Sequence, residues 1–502
     1  MHFMTGNVTF HPERTDMHTA IGRRGFLTGI AGVEAASFAN SWGTTSAQRR
    51  TASPAKRPPG ELPARGELLI RDAYVLTMDR ALGDIPGGSV HVKDGAIMAV
   101  GKHIKAPGAT IIEGGGAIVL PGLVDTHWHM WTTYLRCMAG DKQEDGYFPV
   151  TTRYGQLMDP IDMYRSTRLA AAEAIHSGIT TVGDNCHNVR SHDHAAADIR
   201  AIQETGVRCR WSYGPYRGMP RGRTIDLADL EGFHRDWRKY SSEGLITLGL
   251  MWSGLPSGAA ANLQEMDWAK KEFDTARHLG IPMCLHWASR ENTPAGQVRS
   301  LAEGNFLGKD VLLIHMLASS PEEMKMVAAA GSPVSVAPGT EMRIGYGLTK
   351  ACEFMDAGIL VGVSVDSVPL TGNANFFGIL KLMRNAENAK AFSEFKLSAR
   401  RALEMATIDG ARVFGLEEQI GSLKPGKRAD LIMVTTNRVN MGVFTDPTHM
   451  LVEAAEAADV DTVVVDGRIL KRRGKFTALD PEKVIAAATA SLEAVGKRAK
   501  QT

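Results

Sequence analysis

The stretch Pro121-Gly122-Leu123-Val124-Asp125-Thr126-His127-Trp128-His129 begins apolar and ends on two histidines. In an extended strand side chains alternate between faces, so Leu123, Asp125, His127 and His129 share one side. Both imidazoles therefore point the same way at the strand's exit. A lone histidine at a strand end is usually a structural hydrogen-bonding group. Two at this spacing form a chelate pair for a metal ion.

Reading outward from this stretch, the same pattern recurs. Short apolar runs at 119–129, 179–184, 208–213, 246–252, 282–287, 311–316, 333–337 and 359–366 alternate with segments of helical period such as 162–176, 322–330 and 399–414. Eight such alternations predict an α/β fold, a parallel (β/α)8 TIM-like barrel. Several runs end in chemistry-bearing residues: Cys284-Leu285-His286, Leu313-Ile314-His315 and Val363-Ser364-Val365-Asp366. A barrel builds its site at the carboxyl ends of its strands, so these residues are expected to converge with the histidine pair. Burying three histidines and an aspartate in one mouth is costly unless they hold a cation. The expected ligands of one divalent metal are His127, His129, His286 and Asp366. Nitrogen and carboxylate donors suit zinc first, with iron, cobalt or manganese also compatible. An open coordination position would lower the pKa of bound water towards about 7. Asp366 is placed to take that water's proton and return it to a leaving group, and His315 to polarise the bond under attack.

The flanks read differently. Segments 68–76, 89–92 and 96–100, with Asp94-Gly95 as a turn, have strand character, as do 429–434 and 462–468 with a second Asp-Gly turn. Their simplest assembly is one small β-sandwich made of residues 66–118 and 429–480, beside a barrel over 119–428, with an Ala-rich helix over 481–502. Residues 1–65 stand apart: Arg23-Arg24 precede Gly25-Phe26-Leu27, an apolar stretch to Ala39 and a Pro-rich linker from Pro54 to Pro63. That order resembles a twin-arginine export signal, which implies the matching export machinery as a partner and a periplasmic or exported location; the alternative is a plain disordered tail on a cytoplasmic protein.

Composition narrows the partners. Lys and Arg number 57 against 55 Asp and Glu, a net charge of +2 that creates no field for nucleic acid or an anionic membrane surface. No apolar run reaches membrane-spanning length. The five cysteines, Cys137, Cys186, Cys209, Cys284 and Cys352, lack the spacing of a zinc ribbon or a disulfide framework. A small molecule is the expected partner, and a homo-oligomer is compatible with these features.

The 121–129 stretch is similar to the HxH strand of the amidohydrolase superfamily. Ala406-Thr407-Ile408-Asp409-Gly410-Ala411-Arg412 and Ile420-Gly421-Ser422-Leu423-Lys424-Pro425-Gly426-Lys427-Arg428-Ala429-Asp430-Leu431 resemble the signature where such barrels rejoin their β-sandwich. The resemblance spans roughly 67–476 and points to the branch of cytosine and guanine deaminases and s-triazine hydrolases. It implies the metal ligands named above and a catalytic histidine at His315. Two-metal relatives use a carbamylated lysine on the fourth strand; 246–252 contains none, which implies a mononuclear site. Deaminases of this branch carry a glutamate three residues after the third histidine, where it moves protons to the substrate ring. Here that position is Ser289, and a hydroxyl is no acid near neutral pH. Glu291 could substitute only if the loop turned back.

The expected activity is therefore hydrolysis of a non-peptide C–N bond, in an amide, urea or carbamate of a small aromatic or heterocyclic molecule. The alternatives are an aminoheterocycle deaminase or s-triazine-type dechlorinase, and a metal-free scaffold. Trp131, Tyr134, Trp287, Ser289 and Glu341 are the candidate substrate contacts, Glu341 being equally able to pair with Arg343. Trp128 alternates away from the metal face, towards packing. Asp184, Asn185 and His187 are expected to support the ligands, and Asn373 and Asn375 lie in the right region after the last run.

Overall fold

The computed structural model describes residues 61–220, 222–255, 263–293 and 295–501. The arginine pair and apolar stretch of the expected leader lie outside the described residues. The last residues of the expected linker are docked on the body: Pro63 is buried, and Arg65 Nε donates to Asp466 at 2.8 Å.

Strands β1 (Leu68–Leu76), β2 (Asp84–Lys93), β3 (Ala96–Gly101), β4 (Thr110–Glu113) and β5 (Ile118–Pro121) lead the described chain. They are followed by β6 (Leu123–Trp128), β7 (Ile179–Cys186), β8 (Arg208–Tyr213), β9 (Ile246–Met251), β10 (Met283–Trp287), β11 (Val311–His315), β12 (Val334–Val336) and β13 (Val361–Val363). After these come β14 (Leu431–Val434), β15 (Val460–Val465), β16 (Arg468–Arg472) and β17 (Lys475–Phe476). Strands β6 to β13 form an eight-stranded sheet in which each pairs in parallel with its sequence neighbour. Burial on both faces explains why runs such as β7 and β11 are buried at every position. The sheet closes on itself where Asp366 N–H donates to the His127 carbonyl at 2.9 Å and His129 N–H to the Asp366 carbonyl at 2.8 Å. Three expected metal ligands and the seam of the barrel thus occupy the same few residues.

Local sequence places the helices between strands. Asp159 and Asp162 form a capping box at the start of Pro160–Ser177, and Gly178, left-handed at φ 83, ends that helix directly before β7. Ser320 and Glu323 do the same for Pro321–Ala330, which Gly331 ends. The C-terminal helix Pro481–Ala499 lies against Pro160–Ser177, where Arg498 pairs with Asp159 at 2.8 Å and also with Asp162.

The flanking strands join as one nine-stranded mixed sheet with its own apolar core, including Ile70, Val90, Val119, Leu431 and Val464. The early and late segments meet through antiparallel β5–β14 pairing. The expected boundary at residue 119 moves here: the run 119–129 divides at Gly122, its first part pairing in the flanking sheet and its second in the barrel. Gly122 is required at the crossing, because an added Cβ would lie 2.0 Å from Thr180 Oγ1. Arg208 in β8 holds Asp430 beside β14 through two bonds of 2.7 and 3.1 Å, with both residues buried. Asp430 also accepts the Asp466 backbone N–H at 2.7 Å. No helix among the described residues is long and apolar enough to cross a membrane.

Candidate metal centre and active site

Strands β6 and β10, with the extension of β13, deliver His127, His129, His286 and Asp366 to one point at the carboxyl end of the barrel. One donor atom from each lies within 4.8 Å of all the others. His127 Nε2 is 3.2 Å from His286 Nε2 and 3.1 Å from Asp366 Oδ1; His129 Nε2 is 3.3 Å from His286 Nε2 and 3.6 Å from Asp366 Oδ1. Donor atoms all within 4.8 Å of one another, four of the pairs at 3.1–3.6 Å, are close enough to share one small divalent ion. Burial, with repulsion from the neighbouring imidazoles, pushes His129 and His286 well below the usual histidine range. They are held in the neutral form whose lone pair can bind metal. Facing lone pairs without a cation between them would repel.

The surroundings orient these groups. His129 Nδ1 donates to the Asn185 carbonyl at 3.0 Å, which turns its Nε2 towards the cluster. Asp184 Oδ1 accepts the Met130 N–H at 3.2 Å, so the end of β7 ties down the exit of β6. His187 stacks 4.9 Å from the His129 ring and 5.2 Å from the His286 ring. Asp125 was not singled out by its sequence pattern beyond sharing the histidine face. It is fully buried, accepting the His127 N–H at 3.0 Å and the Val365 N–H at 3.3 Å, and so spans the seam beside two ligands. Left-handed backbone at Ala288, His315 and Asp366 (φ 50, 73 and 61) bends the chain where three strands leave the barrel.

His315 Nε2 lies 3.7 Å from Asp366 Oδ2, and its Nδ1 lies 3.2 Å from Glu341 Oε1. Burial would depress this imidazole, but the Glu341 hydrogen bond and the charges of Asp366 and Glu341 outweigh it and raise it above the usual value. Above the cluster opens a cavity of about 380 Å³, a size that accepts a small molecule. Tyr147, Phe148, Trp252, Trp268 and Tyr346 give it aromatic walls, and Arg217 lies over Tyr147 and Phe148 at 5.9 and 5.3 Å. Asp366 is the single acid among the described lining residues.

The expected substrate contacts are not in this lining. The chain after His129 forms a buried 3-10 turn, Met130–Leu135, instead of an open loop. Trp131 is thereby packed beside Gly155, and Tyr134 faces a separate groove below the C-terminal helix. Trp287 is buried and donates to the Gln297 carbonyl at 2.7 Å. Ser289 is half-buried outside the described lining, and Glu291 is exposed, 3.6 Å from Lys350. Glu341 reaches neither substrate space nor Arg343, whose guanidinium donates to the Ala139 carbonyl at 3.0 Å. Asn375 caps the helix Phe376–Lys390, with Asn373 receiving its backbone N–H, so both serve local structure. Tyr147, Phe148 and Arg217 come from long connections whose course has no signature in sequence.

A parallel eight-stranded barrel that gathers three histidines and an aspartate at its strand exits is the architecture of a divalent-metal hydrolase. The chain belongs to the amidohydrolase family, whose model matches residues 118–470. It is 29% identical over 442 residues to 5'-deoxyadenosine deaminase of Methanosarcina mazei, covering 85% of this chain and 98% of that one. It is 27% identical to 5-methylthioadenosine/S-adenosylhomocysteine deaminase of Acetivibrio thermocellus, covering 83% and 96%. Among solved structures, an adenosine deaminase from Xanthomonas campestris with bound zinc aligns at TM-score 0.73 and 21% identity over 87% of this chain and all of that one. Atrazine chlorohydrolase from Arthrobacter aurescens complexed with zinc aligns at 0.72 and 24%, over 85% and 100%.

Proposed function

We propose that this amidohydrolase hydrolyses a non-peptide C–N bond, of amide, urea or carbamate type, in a small ring-bearing molecule. The observation that carries the reading is the cavity's acid content: Asp366 is the single carboxylate among its described lining residues. Deamination of an aminated ring calls for a second acid to protonate the ring nitrogen, whereas hydrolysis of an acyl C–N bond can proceed with one proton shuttle.

His127, His129, His286 and Asp366 would hold the metal, zinc by preference. That choice is supported by the nitrogen-rich donor set and by the zinc in the similar solved structures. When bound, the metal supplies Lewis-acid activation of water. Asp366 takes a proton from the attacking water and returns it to the leaving nitrogen, and His315 polarises the carbonyl through Nε2. Tyr147, Phe148 and Tyr346 stack against the ring, while Arg217, whose buried Nε has no partner among the described residues, donates to a substrate acceptor. A second reading, deamination of an aminoheterocycle, is favoured by the names of the similar curated relatives. Incubation of the metal-loaded protein with aryl amides, phenylureas, carbamates and aminated or chlorinated heterocycles, followed by mass spectrometry, separates them. Paired amine and acid (or carbon dioxide) products support the first reading. Ammonia or chloride release supports the alternative. The residues ahead of the body act as a twin-arginine export leader in this account, supported by Arg23-Arg24 and the apolar stretch to Ala39. Full-length protein found in the cytoplasm alone after cell fractionation of the native host would overturn that.

A further inference from the structure

We infer that Glu341 is a positioning residue that holds the Nδ1–H of His315, fixes the orientation of the ring and places a negative charge behind it. The inference rests on His315 acting at the substrate, as proposed above.

Glu341 sits in the short helix Pro338–Arg343 after β12 and is completely buried. Its Oε1 receives the Ala337 backbone N–H at 2.9 Å and faces His315 Nδ1 at 3.2 Å. Its Oε2 is buried and has no partner among the described residues, and no lysine or arginine among them pairs with it. A carboxylate can accept about four hydrogen bonds, and leaving one of its oxygens dry is unfavourable. A neutral amide at this position would satisfy the Ala337 N–H with less desolvation, so a local structural task does not account for an acid. The neighbour that gains from the charge is His315.

The geometry around the ring has one consistent reading. A carboxylate can only accept, so Nδ1 carries the proton that faces Glu341, and Nε2 is the nitrogen left facing Asp366 Oδ2 and the cavity, where polarising a bond requires it to present an N–H. The Tyr346 ring meets the imidazole edge-on at 5.3 Å and limits its rotation. Left-handed backbone at His315 and Met316 aims it off the end of β11. While Nε2–H polarises the bond, Glu341 offsets the positive charge of the ring from the far side. Support for the proton-handling group thus comes from the seventh strand's exit, while the loop after His286 offers Ser289.

The test uses the full-length, metal-loaded protein and Glu341→Gln, which keeps the side chain's shape and an acceptor for the Ala337 N–H but removes the charge. The expected result is unchanged metal content and melting temperature, KM near wild type, and kcat lowered about 10- to 100-fold. Wild-type kcat in this variant, or a loss of kcat that follows a loss of metal or of folded protein, would overturn the inference. A substrate-free readout stands beside it: 15N-histidine NMR of the metal-loaded wild-type protein, with His315 assigned by the signal lost in His315→Asn. A proton on Nδ1, hydrogen-bonded to Glu341, supports the role, and an unprotonated Nδ1 overturns it. Because the spectrum needs no turnover, an error in the proposed reaction and an error in this inference are distinguishable.

Discussion

Replacing Asp125 by alanine should damage stability and metal binding together. Its two carboxylate oxygens accept the backbone N–H groups of His127 and Val365 at 3.0 and 3.3 Å across the seam of the barrel. Burial pushes this carboxyl well above the usual range, and the two N–H donors pull it back, so the site maintains the acid at some cost. Asp125→Ala leaves two buried donors without acceptors, each worth about 1–3 kcal/mol, for a destabilisation of about 2–6 kcal/mol. Because those N–H groups flank His127 and Asp366, the ligand spacing should relax as well, weakening metal binding about 10- to 100-fold. At a fixed, saturating metal concentration the stabilisation gained on loading should then shrink by about 1.4–2.7 kcal/mol. Denaturant unfolding with and without metal, combined with chelator competition, measures both quantities. Wild-type metal affinity together with wild-type stability would refute the reasoning.

Other consequences are separable from this one. Asp366→Asn should lower kcat far more than it raises KM, and an unchanged kcat would remove Asp366 from proton transfer. Asp430→Ala strands the buried guanidinium of Arg208 and the Asp466 N–H. It should cost about 3–5 kcal/mol in denaturant unfolding, and a value near zero would show that the barrel and flanking sheet do not depend on this pair. Trp131→Phe should leave kcat/KM unchanged while lowering stability by about 1–3 kcal/mol, since Trp131 is fully buried outside the cavity lining. A selective rise in KM would return Trp131 to the substrate.

The barrel was legible because strands buried on both faces must be apolar throughout, and because a parallel barrel places functional groups only where those runs end. That rule singled out His127, His129, His286, His315 and Asp366 although up to 239 positions separate them. The division at Gly122 was not legible: β5 and β6 are both apolar, and periodicity carries no trace of the close approach to Thr180 that makes the chain change sheets. Loop residues were misjudged for a related reason. Trp131 and Tyr134 follow the ligands in sequence, but a compact 3-10 turn folds them inwards. The walls of the cavity come from Tyr147, Phe148 and Arg217, positioned by tertiary packing. The partner of Glu341 lies 26 residues away at the end of β11, a contact that no local pattern encodes.

The central claim is a single metal ion held by three histidines and an aspartate. Elemental analysis of the purified full-length protein, beside His286→Ala prepared identically, tests it most directly. The account predicts about one divalent ion per chain in the wild type and a near-complete loss in a variant that remains folded by circular dichroism. Equal metal content in the two proteins, or a folded wild type that takes up no stoichiometric zinc, iron, cobalt or manganese, would contradict it.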